Sequence, residues 1–253
     1  MKTNQTRNKR GYTLIEILAV VAIIMMLTGI FIVAIRSSLQ KGRVTNVVGT
    51  VQAISGGIAD YLQKPGSSGV LPLTSSQTGA TLDDALLKEG VLEKPLAIRM
   101  GNVPTSALAA GATYDTTSRT FTAGGSSQSG RARIECRLGT TLQSTFASGD
   151  NSSDTVMPVK FKLDGNTVIP GSSRVVYLVI PGVPYADAYA LAAAVDGALL
   201  GSNQTGGGGS KGAVTDDDSA QANGASNGAV VFAADSVGTP TGTTTVYFYI
   251  TRQ

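Results

Sequence analysis

The chain has 253 residues, a formal net charge of +3 at pH 7 and 15% charged residues, which leaves room for one large domain or two small ones. It contains no histidine and one cysteine, Cys136. These counts exclude an intramolecular disulfide and any general acid–base chemistry built on an imidazole.

The first element is a short basic segment. Met1–Gly11 carries Lys2, Arg7, Lys9 and Arg10 and no acid. Gly11-Tyr12-Thr13-Leu14-Ile15-Glu16 follows, and then the uncharged run Ile17–Ile35. As a helix that run would be about 28 Å long, close to the ~30 Å hydrocarbon core of a bilayer. Arg36 ends it on one side. Lys9 and Arg10 flank the other, which the positive-inside bias keeps in the cytoplasm. A carboxylate at the mouth of such a segment is costly: about 3 kcal/mol at a helix centre and somewhat less toward the end. Glu16 therefore calls for a partner. An ordinary secretory signal also starts basic, but it has a shorter apolar region and a small-residue cleavage site. Ile35-Arg36-Ser37 offers no such site, and an ordinary signal gives no reason for Glu16.

This arrangement resembles the class III signal of type IV pilins and of type II secretion pseudopilins. The family pattern is a basic leader ending in Gly, an aromatic or apolar residue, Thr-Leu-Ile-Glu, and a long apolar stretch. Tyr12 stands where members usually have Phe. The resemblance implies that a prepilin peptidase cuts after Gly11 and methylates the new amine on Tyr12. It also implies that Glu16 pairs with the amine of a neighbouring subunit, an ammonium and a carboxylate satisfying each other where water cannot. The apolar half-helices then pack as the core of a helical filament. Implied partners are the peptidase, an assembly ATPase acting through a membrane platform, other pilin-like subunits and membrane lipid. The implied location is the bacterial cytoplasmic membrane, crossed once with the N-terminus cytoplasmic. From there the subunit passes into a periplasmic pseudopilus or a cell-surface pilus. A singly anchored binding module that never polymerises is the alternative.

The leader also accounts for the charge. Four of the 20 basic residues lie in it and none of the 17 acids does, so its removal leaves 16 against 17. No whole-protein case for binding nucleic acid survives. Many Gram-negative type IV pilins close a C-terminal loop with a disulfide, and this chain cannot. Cys136 reads instead as a small buried apolar residue in the Arg133–Leu138 segment.

Helical signal continues beyond the apolar run. Val44, Val47, Val48, Val51, Ile54, Ile58, Tyr61 and Leu62 recur at three- and four-residue steps, one apolar stripe on a polar helix. Pro65 and Gly66 should stop it. The spacing predicts one helix over 12–63, membrane-spanning over about 17–35, with Gly29, Gly42, Gly49 and Gly56-Gly57 as weak points.

Residues 64–253 should form a soluble head. Thr81–Gly90 reads as a short helix with Thr81 as N-cap, acids in its first turn and Gly90 past its end. Residues 102–130 read as loop with one edge strand around Arg119–Thr122. Arg133–Leu138 reads as a strand, and 159–169 as a hairpin turning at Asp164-Gly165. Arg174–Ile180 reads as a central strand, and Pro184–Leu200 as an alanine-rich helix with proline in its first turn. Ala229–Ala233 and Thr244–Ile250 are the last two strands. The expected class is α+β: a long N-terminal helix packed on a C-terminal antiparallel sheet, in agreement with the pilin-like fold. The Leu82–Pro95 segment resembles pseudopilins, and the length past Gly11 favours a specialised or minor subunit.

Other candidate sites are weaker. Gly206–Gly209 and Ser210-Lys211-Gly212 fail the phosphate-loop pattern, which needs Gly-Lys before Ser or Thr. Asp216, Asp217 and Asp218 are the best cation candidates, since major pseudopilins bind calcium in a C-terminal loop. Consecutive carboxylates diverge, however, and no EF-hand spacing is present. Asp150 with Asp154 is weaker still. No nucleophile arrangement stands out, and the expectation is a structural protein rather than an enzyme.

Overall fold

The computed structural model describes residues 13–64, 69–74, 80–100, 113–121, 131–142, 161, 163, 169–196, 228–232 and 243–253. The chain divides into two compact units, Met1–Lys41 and Gly42–Gln253. Helix α1, Leu14–Gln63, is a single 50-residue element that passes unbroken through each of the glycines read as weak points.

In the first unit, the described large apolar side chains of α1 lie open: from Leu14 to Leu39 those described are 41% to 79% exposed. In the second unit the stripe turns inward: Val44, Val47, Val51, Ile54, Ile58 and Tyr61 are buried, with Val48 and Leu62 packed at its margins. The periodicity expected from the sequence is the periodicity of burial.

Helix α2, Leu82–Lys88, ends as expected. The Val91 N–H donates to Leu86 O and the Gly90 N–H to Leu87 O, with Gly90 at φ 69°. These two bonds define a Schellman cap, which needs a left-handed residue where glycine stands. The start of α2 corrects the sequence reading. Thr81 occupies the N-cap position, but its hydroxyl makes no capping bond and accepts from Arg131 Nη2 at 3.1 Å. Asp83 is buried rather than a solvated charge at the helix start, because it is needed as an acceptor for the adjoining strand.

Strands β1 (Tyr114–Asp115) and β2 (Thr120–Phe121) form a separate two-stranded ribbon. The expected strand around Arg119 thus belongs to a small hairpin and not to the edge of the main sheet. That sheet comprises β3 (Arg133–Leu138), β4 (Arg174–Pro184), β5 (Val230–Phe232) and β6 (Thr243–Arg252), antiparallel throughout in the order β3-β4-β6-β5. Of the expected 159–169 hairpin, the described part is the Ile169 N–H donating to Phe161 O at 3.2 Å.

Pro184 is a second correction. It is the last residue of β4 and sits in the N-cap position of α3, Tyr185–Val195, rather than inside the first helical turn. The ladder with β6 shifts between Ile180 and Val183 and leaves Pro181 and Gly182 outside the register. A bulge is where a strand tolerates a proline, which has no N–H to offer. The Pro-Gly pair that read as a strand end is a kink within a longer strand.

The sheet is buried on both faces. One packs Ile134, Cys136, Val176, Leu178, Ile180, Phe232, Val246 and Phe248 with the α1 stripe, α2 and α3. The other packs Val175, Tyr177, Val179, Val231 and Tyr247 with Leu142, Phe161 and Ile169. Two covered faces explain why β4 reads as a continuous apolar run rather than an alternation.

The sheet edges are closed by side chains. On β3 the Ile134 N–H donates to Asp83 Oδ1 at 3.2 Å and the Cys136 N–H to Thr74 Oγ1 at 2.9 Å. On β5 the Ala229 and Val230 N–H groups donate to the Asp196 carboxylate at 2.7 and 3.0 Å. Gly228, at φ +92°, makes room for that carboxylate, since a Cβ there would lie 2.4 Å from it. Occupied amides blunt edge-to-edge association.

Ile54, 1% exposed under the sheet, is the test of the inward stripe. Ile54→Ala should cost about 2–5 kcal/mol of head stability in urea unfolding of the full chain followed by far-UV circular dichroism. Leu27→Ala, at a position 49% exposed, should change it by less than about 0.5 kcal/mol.

Candidate functional site

The first described residues form a closed polar unit at the mouth of the apolar helix. The Thr13 N–H donates to Glu16 Oε2 at 2.8 Å, and the Thr13 hydroxyl donates to the same oxygen at 2.9 Å. The Glu16 N–H points back to Thr13 Oγ1 at 3.4 Å. Thr13 and Glu16 thus stand as N-cap and third helical residue of a capping box. Glu16 has a partner in its own chain, Thr13, besides the neighbouring amine that the resemblance implies. The signal was present in the sequence as Thr-x-x-Glu. Oε2 takes both Thr13 bonds, and among the described residues Oε1 takes none. Gly11 and Tyr12 lie outside the described residues.

Behind this cap α1 is long and apolar enough to cross a membrane. Its most apolar window has a mean hydropathy of 3.0, and none of that window is buried by the chain.

Residues 6–32 match the family model described as the prokaryotic N-terminal methylation motif. The chain carries a prepilin-type cleavage and methylation signal. This is the signal of type IV pilins and pseudopilins, and it marks the chain as a pilin-like precursor. It implies processing by a prepilin peptidase and assembly with other pilin-like subunits. The long apolar helix, followed by an antiparallel sheet, agrees with the pilin-like fold. Among curated proteins and among solved structures, none matches the chain.

Other positions singled out from the sequence are distributed differently. Asp216, Asp217 and Asp218, Gly206–Gly209 with Lys211, and Asp150 with Asp154 lie outside the described residues. Among the described residues, no group of three or more potential ligands is placed to hold a metal ion. Cys136 is fully buried on the α1 side of β3, and burial pushes its thiol up to about 12. A thiol so placed is a packing residue.

The head also holds buried charges that sequence reasoning missed. On β3, Arg133, Glu135 and Arg137 alternate with apolar residues and share the sheet face opposite α1. Arg133 Nε donates to Glu135 Oε1 at 2.7 Å, and Arg137 Nε to Oε2 at 2.8 Å. The Tyr177 hydroxyl, from β4, donates to Oε2 at 2.8 Å. Burial alone would raise the Glu135 carboxyl; Arg133 and Arg137 outweigh it and hold the group below the usual carboxylate range. Burial, reinforced by Glu135, drives the Tyr177 phenol up, so it remains a donor. The available signal was the alternation Arg-Ile-Glu-Cys-Arg, which reads as a half-solvated strand until the second face is known to be covered.

A second network ties the end of α1 to α2. The Tyr61 and Tyr114 hydroxyls lie 2.8 Å apart, and Tyr114 donates to Glu89 at 3.3 Å. Glu89 also pairs with Lys64 at 3.3 Å and with Arg119 at 3.6 Å. Arg43 of α1 pairs with Asp187 of α3 at 2.9 Å. These contacts position the head on its helix and offer no nucleophile or general base.

Proposed function

We propose that this chain is a structural subunit of a type IV pilus or a type II secretion pseudopilus. The observation that carries the reading is the exposed apolar half of α1 behind a prepilin-type signal. That half-helix needs a cover that the chain does not supply, and lipid followed by neighbouring half-helices would supply it in turn. The peptidase would cut after Gly11 and methylate the amine of Tyr12. Lys9 and Arg10 would hold the N-terminus in the cytoplasm until then. An assembly ATPase would act through its membrane platform, and the heads would tile the filament surface. The role is structural and not enzymatic. A singly anchored binding module would stay with the membrane after mild shear, whereas filament subunits leave the cell in high-mass particles.

The capping geometry refines how Glu16 would act. With Oε2 occupied by Thr13, Oε1 is the oxygen left for the Tyr12 ammonium of a neighbour. One carboxylate would then fix both its own helix start and the register between subunits.

Processing is tested by intact-mass or N-terminal peptide spectrometry. The mature chain should begin at a methylated Tyr12, and Gly11→Val should block the cut because a branched side chain does not fit where the signal uses glycine. A chain that still carries Met1–Gly11, or that is cut after Ile35, defeats the filament reading.

Glu16→Leu, as the sole copy, should reach normal or higher levels in the membrane and should still be cut. Sheared filament yield should fall to near zero, since each Tyr12 amine would enter the filament core unpaired, and an unpaired buried charge costs several kcal/mol. Normal filaments from this variant would show that the carboxylate does not set the register.

Calcium binding by Asp216, Asp217 and Asp218 is a further proposal, resting on the resemblance to pseudopilins. A chelator should then lower the melting temperature of the head, and alanine at the three positions should abolish that sensitivity. An unchanged melt returns the triplet to a solvated loop.

A further inference from the structure

The apolar stripe of α1 does not by itself fix where along the sheet it belongs. Its buried middle is Val47, Val51, Ile54 and Ile58, spaced by three or four residues and β-branched throughout. Sliding the helix by one turn, about 5.4 Å, brings Val44, Val47, Val51 and Ile54 into those four places. Hydrophobic burial is non-directional, so over this stretch it hardly separates the two registers.

The register is marked instead by groups that have no counterpart one turn away. Arg43 pairs at 2.9 Å with Asp187 of α3, whose side chain is 9% exposed. After the slide, Leu39 or Gln40 would stand in its place, and neither is a cation. The Tyr61 hydroxyl lies 2.8 Å from that of Tyr114. Its place would pass to Gly57 or Ile58, which carry no hydroxyl. Lys64 pairs with the Glu89 carboxylate at 3.3 Å and donates to the Glu89 carbonyl. Asp60 or Tyr61 would take its place, and Asp60 would set one carboxylate against another. Gly57 marks the register by shape, since a Cβ there would lie 3.0 Å from Val91 Cγ1. Ala53 or Ile54 would bring a side chain into that notch.

We propose that these three polar ties and the Gly57 notch form a register lock, which holds α1 in one of two axial positions that its apolar stripe accepts. The ties act mainly by what their loss would cost. A slide would leave the buried Asp187 carboxylate without its cation and bring like charges together at Glu89. The ties bracket the stripe, with Arg43 and Gln63 about 30 Å apart along the helix. Packed elements move past one another by whole turns rather than continuously, so an unlocked helix has a second discrete position. With the lock closed, a pull along α1 is carried to the head rather than lost in sliding beneath it.

The test measures distances between nitroxide pairs by pulsed electron paramagnetic resonance on the full chain in detergent micelles. Cys136→Ala removes the native thiol. One label sits at Gln52→Cys, on the exposed face of α1, and the other at Thr141→Cys or at Thr243→Cys, both exposed. Two pairs make a shift along the helix visible in at least one. The otherwise unaltered chain should give one distance per pair. Arg43→Ala with Tyr61→Phe and Glu89→Ala should add a second population, displaced by up to about 5 Å. Adding Gly57→Ala fills the notch in the original register too, and should raise that second population further. If the triple variant loses its far-UV circular dichroism, Arg43→Ala with Glu89→Gln, which leaves the stripe intact, takes its place. A single unchanged distance after the ties are removed, a broad spread with no second peak, or no rise with Gly57→Ala overturns the proposal.

Discussion

One helix with two incompatible surroundings governs this protein. The 50 residues of α1 begin with apolar side chains that are exposed among the described residues and end with a stripe sealed under a sheet. At about 25 cal/mol per Å² of apolar surface, an uncovered membrane-length segment is unstable in water by many kcal/mol. The change falls between Leu39, 57% exposed, and Val44, 8% exposed. Between them stand Gln40, Lys41, Gly42 and Arg43, a polar stretch whose last residue already pairs with Asp187 of α3. The two halves share a continuous backbone and obey separate rules.

Each end of the helix is fixed by a polar device suited to its surroundings. At the start, a capping box meets the first amide and the one acidic side chain with each other, so neither enters an apolar environment unpaired. At the other end, Tyr61 and Lys64 reach into the Glu89 network, which anchors the exit of α1 to the end of α2. Among the described residues the first device leaves one carboxylate oxygen without a donor, and the second shields its carboxylate from water. That difference suits an outward-looking start and an inward-looking finish.

In the head, covering both faces of the sheet has a consequence for charge. A polar strip on β3 that water would otherwise solvate must find partners inside the fold. Glu135 collects two guanidiniums and a phenol, and their attraction outweighs its desolvation. At the sheet edges, by contrast, burial wins: Asp83 and Asp196 are both pushed upward, although each accepts strand amides. Closing the edges thus costs stability at neutral pH. That cost is full above their raised values and shrinks as the pH falls from there toward the ordinary carboxylate range, below which it is gone.

The local signals were legible where local chemistry is enough. The basic leader, Gly11-Tyr12, Glu16 and the run to Ile35 identified the prepilin-type signal, because a recognition signal must be readable in an unfolded chain. The 3.6-residue stripe from Val44 to Leu62 and the Schellman glycine at 90 were equally direct, since helix periodicity and left-handed backbone are short-range constraints. The sequence also held the Thr13–Glu16 box, though its meaning depends on which oxygen each donor reaches. What only the tertiary structure decided is what lies across a sheet. Pro181-Gly182 became a bulge inside β4 because β6 continues beside it. Asp83 became an edge acceptor because β3 passes α2. Arg133, Glu135 and Arg137 became a buried network because distant segments cover the second face, and no pattern within six residues of one strand can reveal what packs on top of it.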